Sequence, residues 1–234
     1  MTRNKLSIII PILNEISHLP SLFKVLHSYS KEINIIFCDA GSVDGSHELI
    51  SLECKKNHYS YFYNSLKSPS VMSTIELAKD NLRDSQYVMV HPVDAHCEKA
   101  ITKLLSEINM NKDYYLFYKS YSPSQILLNI QEFYLNKIRL GHQKQFVWTN
   151  CPVFKIEFFH NILRFNSGFL EDVLLSDYMK EGHRPVILKE KVIISSRRYL
   201  ARKTPRQILR NFYIMISFRL KLKSIEELKS IYYK

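Results

Sequence analysis

Hydrophobic and polar positions alternate in blocks through the first half of this 234-residue chain. Apolar runs at 6–10, 33–38 and 86–91 predict parallel strands buried on both faces. Aromatic-rich runs at 59–63 and 114–118 predict two more strands. Between them, helical spacing of apolar residues predicts helices over 17–29, 44–56, 71–82 and 97–109, with Asp44 placed to cap the second. This alternation predicts a mainly parallel sheet with helices on both faces. Beyond residue 122 the order loosens. A helix is expected over 123–139, then the polar stretch LGHQKQFVWTN, a strand near 151–155 and a helix over 156–163. NSGFLEDVLLSDYMKEGH reads as a loop entering a helix that stops at Gly182, and strands follow near 186–188 and 191–195. The last helix, 205–221, opens on Pro205, a good first helical residue. Its apolar positions Ile208, Leu209, Phe212, Ile216 and Leu220 share one face, while Arg202, Arg206 and Arg210 mark another.

The first two strands break abruptly, in LSIIIPILNE and INIIFCDAGSVDGS. In an open parallel sheet, ligands bind at the carboxyl ends of strands, which would bring Asn14, Glu15, Asp39 and Asp44 over one crevice. Gly41 and its small neighbours let the backbone approach a ligand closely; the same residues also suit a tight turn and a helix cap. After YVMV comes HPVDAH, where Asp94, with His96 as a second candidate, is placed to hold a divalent cation beside a diphosphate. An aspartate capping the next helix is the competing reading. In Phe169-Leu170-Glu171-Asp172, adjacent carboxylates could supply a general base, or could simply complement a helix dipole.

Charge changes the picture at one end. Residues 195–234 hold eleven Lys and Arg against Glu226 and Glu227, which is +9 of the chain's +11. A basic tail on a near-neutral domain points to an anionic partner: phosphate, anionic lipid or nucleic acid. No stacking-platform, zinc-finger or helix-turn-helix pattern accompanies the charge, so nucleic acid is not expected. Cys38, Cys54, Cys97 and Cys151 are scattered without paired spacing, which fits reduced thiols in a cytoplasmic protein. No run of 18 uncharged apolar residues predicts a spanning helix.

Taken in order, these segments resemble the family-2 glycosyltransferases, which have the GT-A fold. SIIIPILNE is similar to that family's opening strand and loop, and CDAGSVDGS to its nucleotide-binding turn. HPVDA stands where the family carries its metal motif, FLEDVLLSDYMKEGH resembles its Glu-Asp helix, and SSRRY resembles an Arg-Arg-Trp segment of short soluble bacterial members. The resemblance spans roughly residues 5–234. It implies a Rossmann-like three-layer α/β sandwich over 1–200, with a basic amphipathic helical tail over 201–234 that packs on the domain or faces a membrane. It also implies transfer of a sugar from a nucleotide-sugar donor to a hydroxyl of a glycan or lipid-linked acceptor, with inversion, in envelope, glycolipid or polysaccharide synthesis. The expected setting is the cytoplasm, at the inner face of an anionic membrane.

By the same resemblance, Pro11, Asn14, Glu15, Asp39, Gly41 and Asp44 hold the nucleotide, and Arg197 and Arg198 lie near its diphosphate. Asp94 holds Mn or Mg; His96, two residues on, is either a second ligand or a surface residue of the next helix. Asp172, with Glu171 beside it, is the base. Apart from the resemblance, Trp148, the lone tryptophan in a polar stretch, is either an acceptor-sugar platform or part of the core. Two departures stand out. Pro92 occupies the first ligand position of the metal motif, and serines replace the Arg and Asn expected within 67–73. They keep open an alternative, a catalytically degenerate glycosyltransferase-like binding or partner protein.

Overall fold

Strand β1 (Asn4–Ile12) shows why the sheet is buried on both sides: Leu6, Ile8, Ile10 and Ile12 face one core, while Ile9 faces another. In this computed structural model the described residues are 4–29, 33–82, 85–108, 112–165, 168–201 and 204–233. After β1 come α1 (Leu19–Leu26), β2 (Ile33–Asp39), α2 (Ser46–Asn57) and β3 (Ser60–Tyr63). Helix α3 (Val71–Ile75) tightens into a 3-10 turn (Glu76–Asn81) before β4 (Ser85–Val90), the two-residue β5 (Ala95–His96) and α4 (Glu98–Glu107). Strand β6 (Tyr114–Ser122) leads to α5 (Ile126–Phe133), which widens into a π-helical segment (Tyr134–His142). A short 3-10 turn (Trp148–Asn150), β7 (Val153–Lys155), α6 (Ile156–Ile162), α7 (Glu171–Lys180) and β8 (Val186–Ser195) follow. The chain ends in α8 (Arg197–Ala201), α9 (Thr204–Arg219) and α10 (Ile225–Tyr233).

The eight strands are ordered β3-β2-β1-β4-β7-β6-β8-β5. β1 pairs in parallel with β2 and β4, β2 with β3, and β6 with β8, whereas β7 and β5 pair antiparallel to their neighbours. The mainly parallel three-layer arrangement expected from the sequence is therefore the observed one. One core joins the sheet to α1, α2 and α4, and the other joins it to α3, α6 and α7.

The differences have local causes. The two strands expected near 186–195 are one, β8, with a register shift where Phe117 pairs Leu188 and Tyr118 pairs Lys191. The helix expected over 123–139 is regular only to Phe133; the wider turn beyond it sets Leu135, Asn136, Arg139 and Leu140 inward together. In the tail, Leu209, Phe212, Ile216 and Leu220 are exposed, and Gln207, Ile214 and Ser217 turn inward instead. Helix α10, absent from the sequence reading, explains this reversal. It packs with α9, and Ile214 and Leu228 close a small separate core around Phe169.

Candidate active site

The first two strand ends are zipped together by side chains. Backbone amides of the first loop donate to side chains of the second: Asn14 to Ser42 Oγ at 2.9 Å, Glu15 to Ser46 Oγ at 3.0 Å, and Ile16 to Asp44 Oδ2 at 3.0 Å. In return the Val43 amide donates to Asn14 Oδ1 at 2.9 Å. Asn14 adopts φ +55°, a conformation asparagine tolerates better than most residues, and this lets its side chain reach across. Asp44 Oδ1 accepts the Ser46 amide at 3.0 Å and the Ser46 hydroxyl at 2.6 Å, which ties it to the start of α2. Desolvation is the largest single influence and opposes it, but the hydrogen bonds from Ser46 and Ile16 together outweigh it and hold Asp44 below the ordinary carboxylate value.

Asp39 ends β2 and is fully buried. Its Oδ1 accepts the amides of Gly41 at 3.0 Å and Ser42 at 2.8 Å, and the Tyr61 hydroxyl donates to Oδ2 at 3.1 Å. Gly41, at φ +110°, turns the chain hard against Ser65, whose Cα would lie 2.9 Å from any added Cβ. Pro11 is half-buried and lies in register beside Cys38, one residue before the end of β1.

Arg197, at the start of α8, joins the loop after β1 to the end of β4. Its Nη2 donates to Glu15 Oε2 at 2.6 Å and its Nε to Asp94 Oδ2 at 3.3 Å. Two carboxylates from two loops thus share one guanidinium. The side chain of Arg198 lies outside the described residues. His96 is exposed on β5, in register with Ile193. Pro92 offers no ligand atom, and among the described residues no three His, Cys, Asp or Glu side chains come together as a metal site. The donor set around Asp94 fits a divalent cation poorly, because the guanidinium of Arg197 already stands on its carboxylate.

Glu171 and Asp172 open α7 but do different things. Glu171 is buried, and its carboxylate accepts the amides of Met72 at 3.1 Å and Gly168 at 3.2 Å, which staples the α7 loop to the start of α3. Burial outweighs those bonds and leaves Glu171 above the usual carboxylate range. Asp172, whose side chain is 19% exposed, approaches Arg139 Nη2 at 3.5 Å. Desolvation raises it too, against the pull of Arg139 and Lys119. A carboxylate held above its ordinary value and open at one edge is suited to taking a proton. Glu171 is placed to hold the loop that presents it.

The serines at 70 and 73 have a local purpose. The Ser73 amide donates to Ser70 Oγ at 3.1 Å and the Ser70 amide to Ser73 Oγ at 2.9 Å, a reciprocal cap on α3. Trp148 is half-buried and edge-on to Phe146 at 5.5 Å, packed against the second core rather than standing free as a platform. The residues that sequence reasoning missed are Lys119 and Arg139. Both are buried, and both act on Asp172. Strand alternation could have found the first, since Lys119 shares a face with Phe117 and Tyr121, which line the first core. No periodicity flags Arg139, because the wide turn that carries it inward breaks the helical repeat.

No protein-family model matches the chain, and no curated protein matches it in sequence. Solved structures do match in fold. S. aureus TarS 1–349 in complex with UDP superposes with a TM-score of 0.61 at 15% identity, over 82% of this chain and 60% of that one. The same 1–349 form has been solved with UDP-GlcNAc, matching with a TM-score of 0.58 at 16% identity over 82% of this chain and 58% of that one. The mannosyltransferase PcManGT from Pyrobaculum calidifontis, in complex with GDP-Man and Mn2+, matches with a TM-score of 0.55 at 15% identity, over 82% and 56%. Against a longer TarS structure this chain spans 36% of the length. These likenesses establish the fold as the GT-A-like fold of glycosyltransferases. It is the fold that the opening strands, the Glu-Asp helix and the Arg-Arg segment led us to expect.

Proposed function

We propose that this protein is a glycosyltransferase that moves a sugar from a nucleotide-sugar donor to an acceptor hydroxyl, with Asp172 as the base. The single observation that carries this is the placement of Asp172: a desolvated carboxylate, ion-paired to Arg139, in the fold shared with structures solved with UDP, UDP-GlcNAc and GDP-Man. The zipped loops after β1 and β2 form the nucleotide side. Asp39 and the small residues behind it shape the turn, and Asn14, Glu15 and Asp44 set its geometry before any ligand arrives. Asp172 removes the proton from the acceptor hydroxyl, whose oxygen attacks the anomeric carbon as the bond to the diphosphate breaks. One displacement by the acceptor inverts that centre and needs no enzyme nucleophile. Arg197 and Arg198 supply positive charge for the leaving diphosphate. PcManGT holds Mn2+, and a divalent cation at Asp94 is the matching expectation here. Because Arg197 already stands on Asp94, no step is assigned to a metal. A panel of UDP- and GDP-sugars, read by nucleotide release with and without manganese, tests the proposal. Binding without turnover for every donor would favour instead a non-catalytic partner protein, the reading that Pro92 supports.

We also propose that the acceptor is met at an anionic membrane surface. α5 packs beside α9, and both show apolar side chains to solvent, among them Ile126 at 80% exposure, Ile130, Phe133, Phe212 and Leu209 at 69%. Exposed Lys137 and Arg206 flank them. Among the described residues no helix is long and apolar enough to cross a membrane. Co-sedimentation with vesicles containing anionic lipid should fall sharply on Ile130→Glu with Leu209→Glu; unchanged binding would remove this role.

A further inference from the structure

Lys119 on β6 and Arg139 on the wide-turn segment are only 3% and 8% exposed. Lys119 Nζ donates to Thr149 Oγ1 at 2.8 Å and sits over the Tyr121 ring at 5.2 Å. Arg139 aims Nη2 at Asp172, yet its Nε and Nη2 are both buried without a hydrogen-bond partner among the described residues. The other nearby carboxylates are committed: Glu132 holds Lys191, and Asp177 holds Arg219 through two bonds. Two buried basic side chains therefore lie on the Asp172 side of the site, and Arg139 keeps two buried donors without a partner among the described residues. Buried donors left unpaired are costly, and an anion placed on the pair would satisfy them. A guanidinium fork beside an ammonium matches the oxygens of a phosphate group.

We propose that Lys119, Arg139 and Thr149 form a phosphate-recognising subsite beside Asp172. The phosphate is one carried by the acceptor, because Arg139 stands on the carboxylate proposed to receive the acceptor's proton. Naming Asp172 as the neighbouring base rests on the glycosyltransferase reading; the anion site itself rests on the buried pair. An acceptor phosphate held there would set the adjoining hydroxyl against Asp172, so charge on the acceptor would decide which hydroxyl is glycosylated. Burial pushes Lys119 down to about 7, and the groups acting on it are Arg139, Asp172, Cys151 and Glu132. A bound phosphate would pull that value back up.

Calorimetry with inorganic phosphate on the full chain tests this, using wild type, Arg139→Gln and Arg139→Lys, each with and without saturating UDP. Arg139→Gln should bind phosphate at least about tenfold more weakly, and Arg139→Lys should lie between. Equal binding by wild type and Arg139→Gln would overturn the subsite. Phosphate binding unchanged by UDP supports an acceptor site, and loss of phosphate binding in the presence of UDP would overturn it. A second measurement needs no variant. In 13C-lysine-labelled wild type, the Lys119 signal should move its midpoint to higher pH with phosphate, and a fixed midpoint would refute the proposal. If UDP fails to bind while phosphate binds through Arg139, sugar transfer falls and the subsite stands. UDP binding with phosphate indifferent to Arg139→Gln gives the reverse.

Discussion

Replacing Asp172 by Asn removes the proton acceptor while keeping the shape of the side chain. Asn Oδ1 can still accept the Val173 amide, which lies 3.0 Å from Asp172 Oδ1, so the first turn of α7 keeps its cap. What is lost is the charge facing Arg139 at 3.5 Å. Breaking a buried ion pair costs about 3–5 kcal/mol at the extreme. Asp172 is partly exposed and its ionised form is already disfavoured by desolvation, so a stability loss nearer 1 kcal/mol is expected. Loss of a general base slows the chemical step about 100- to 10,000-fold, roughly 3–5.5 kcal/mol in the barrier. The assay is nucleotide release from the donor identified in the panel, alongside donor affinity by calorimetry and a thermal melt. The pH profile gives a second signature. Asp172 is a carboxyl raised in the folded protein, so activity is full above that raised value and falls as pH drops through it, at a higher pH than the ordinary carboxylate value of about 3.9. Asn should erase that acid limb. A variant with full turnover, or with the acid limb unchanged, would refute the assignment of the base.

Glu171→Gln should do the opposite: a Gln amide can accept only one of the two backbone amides that Glu171 holds, so stability should fall by about 1–3 kcal/mol in a thermal melt, with donor affinity nearly kept. Ser46→Ala strips the hydroxyl bonded to the Glu15 amide and Asp44, and is expected to cost about 1–2 kcal/mol and to weaken UDP binding severalfold. Gly41→Ala meets the Ser65 backbone at 2.9 Å, whereas Gly45→Ala meets only the movable end of Ile16, so chemical denaturation should show the first as the more damaging. Arg197→Gln frees Glu15 and Asp94 from a shared cation; donor turnover should drop at least about tenfold, and added manganese should recover more of it than in wild type.

Much of the geometry of the loops after β1 and β2 was legible because its signals are local. An apolar run that stops at Asp39, a glycine two residues on and Asp44 before a helix each carry their geometry within a few residues. The other side is built by contacts distant in sequence. Arg139 reaches Asp172 only through the widened turn, and Lys119 looked like one more residue of an aromatic strand. Strand β5 is two residues long and has no period to read. The tail's inward face was misjudged because two polar residues, Gln207 and Ser217, turn in beside Ile214, opposite a helix that the pattern did not reveal.

The small core of Phe169, Ile214 and Leu228 ties the end of the chain to the loop carrying Glu171 and Asp172, and not to the sheet. Tyr232 adds to the hold, against the Phe169 ring at 5.5 Å and under the Arg210 guanidinium at 5.6 Å. α9, with its apolar outer side, and the segment leading into Asp172 thus share one packed unit. Shortening Ile214 or Leu228 is therefore expected to loosen the segment that leads into Asp172 before it loosens the sheet.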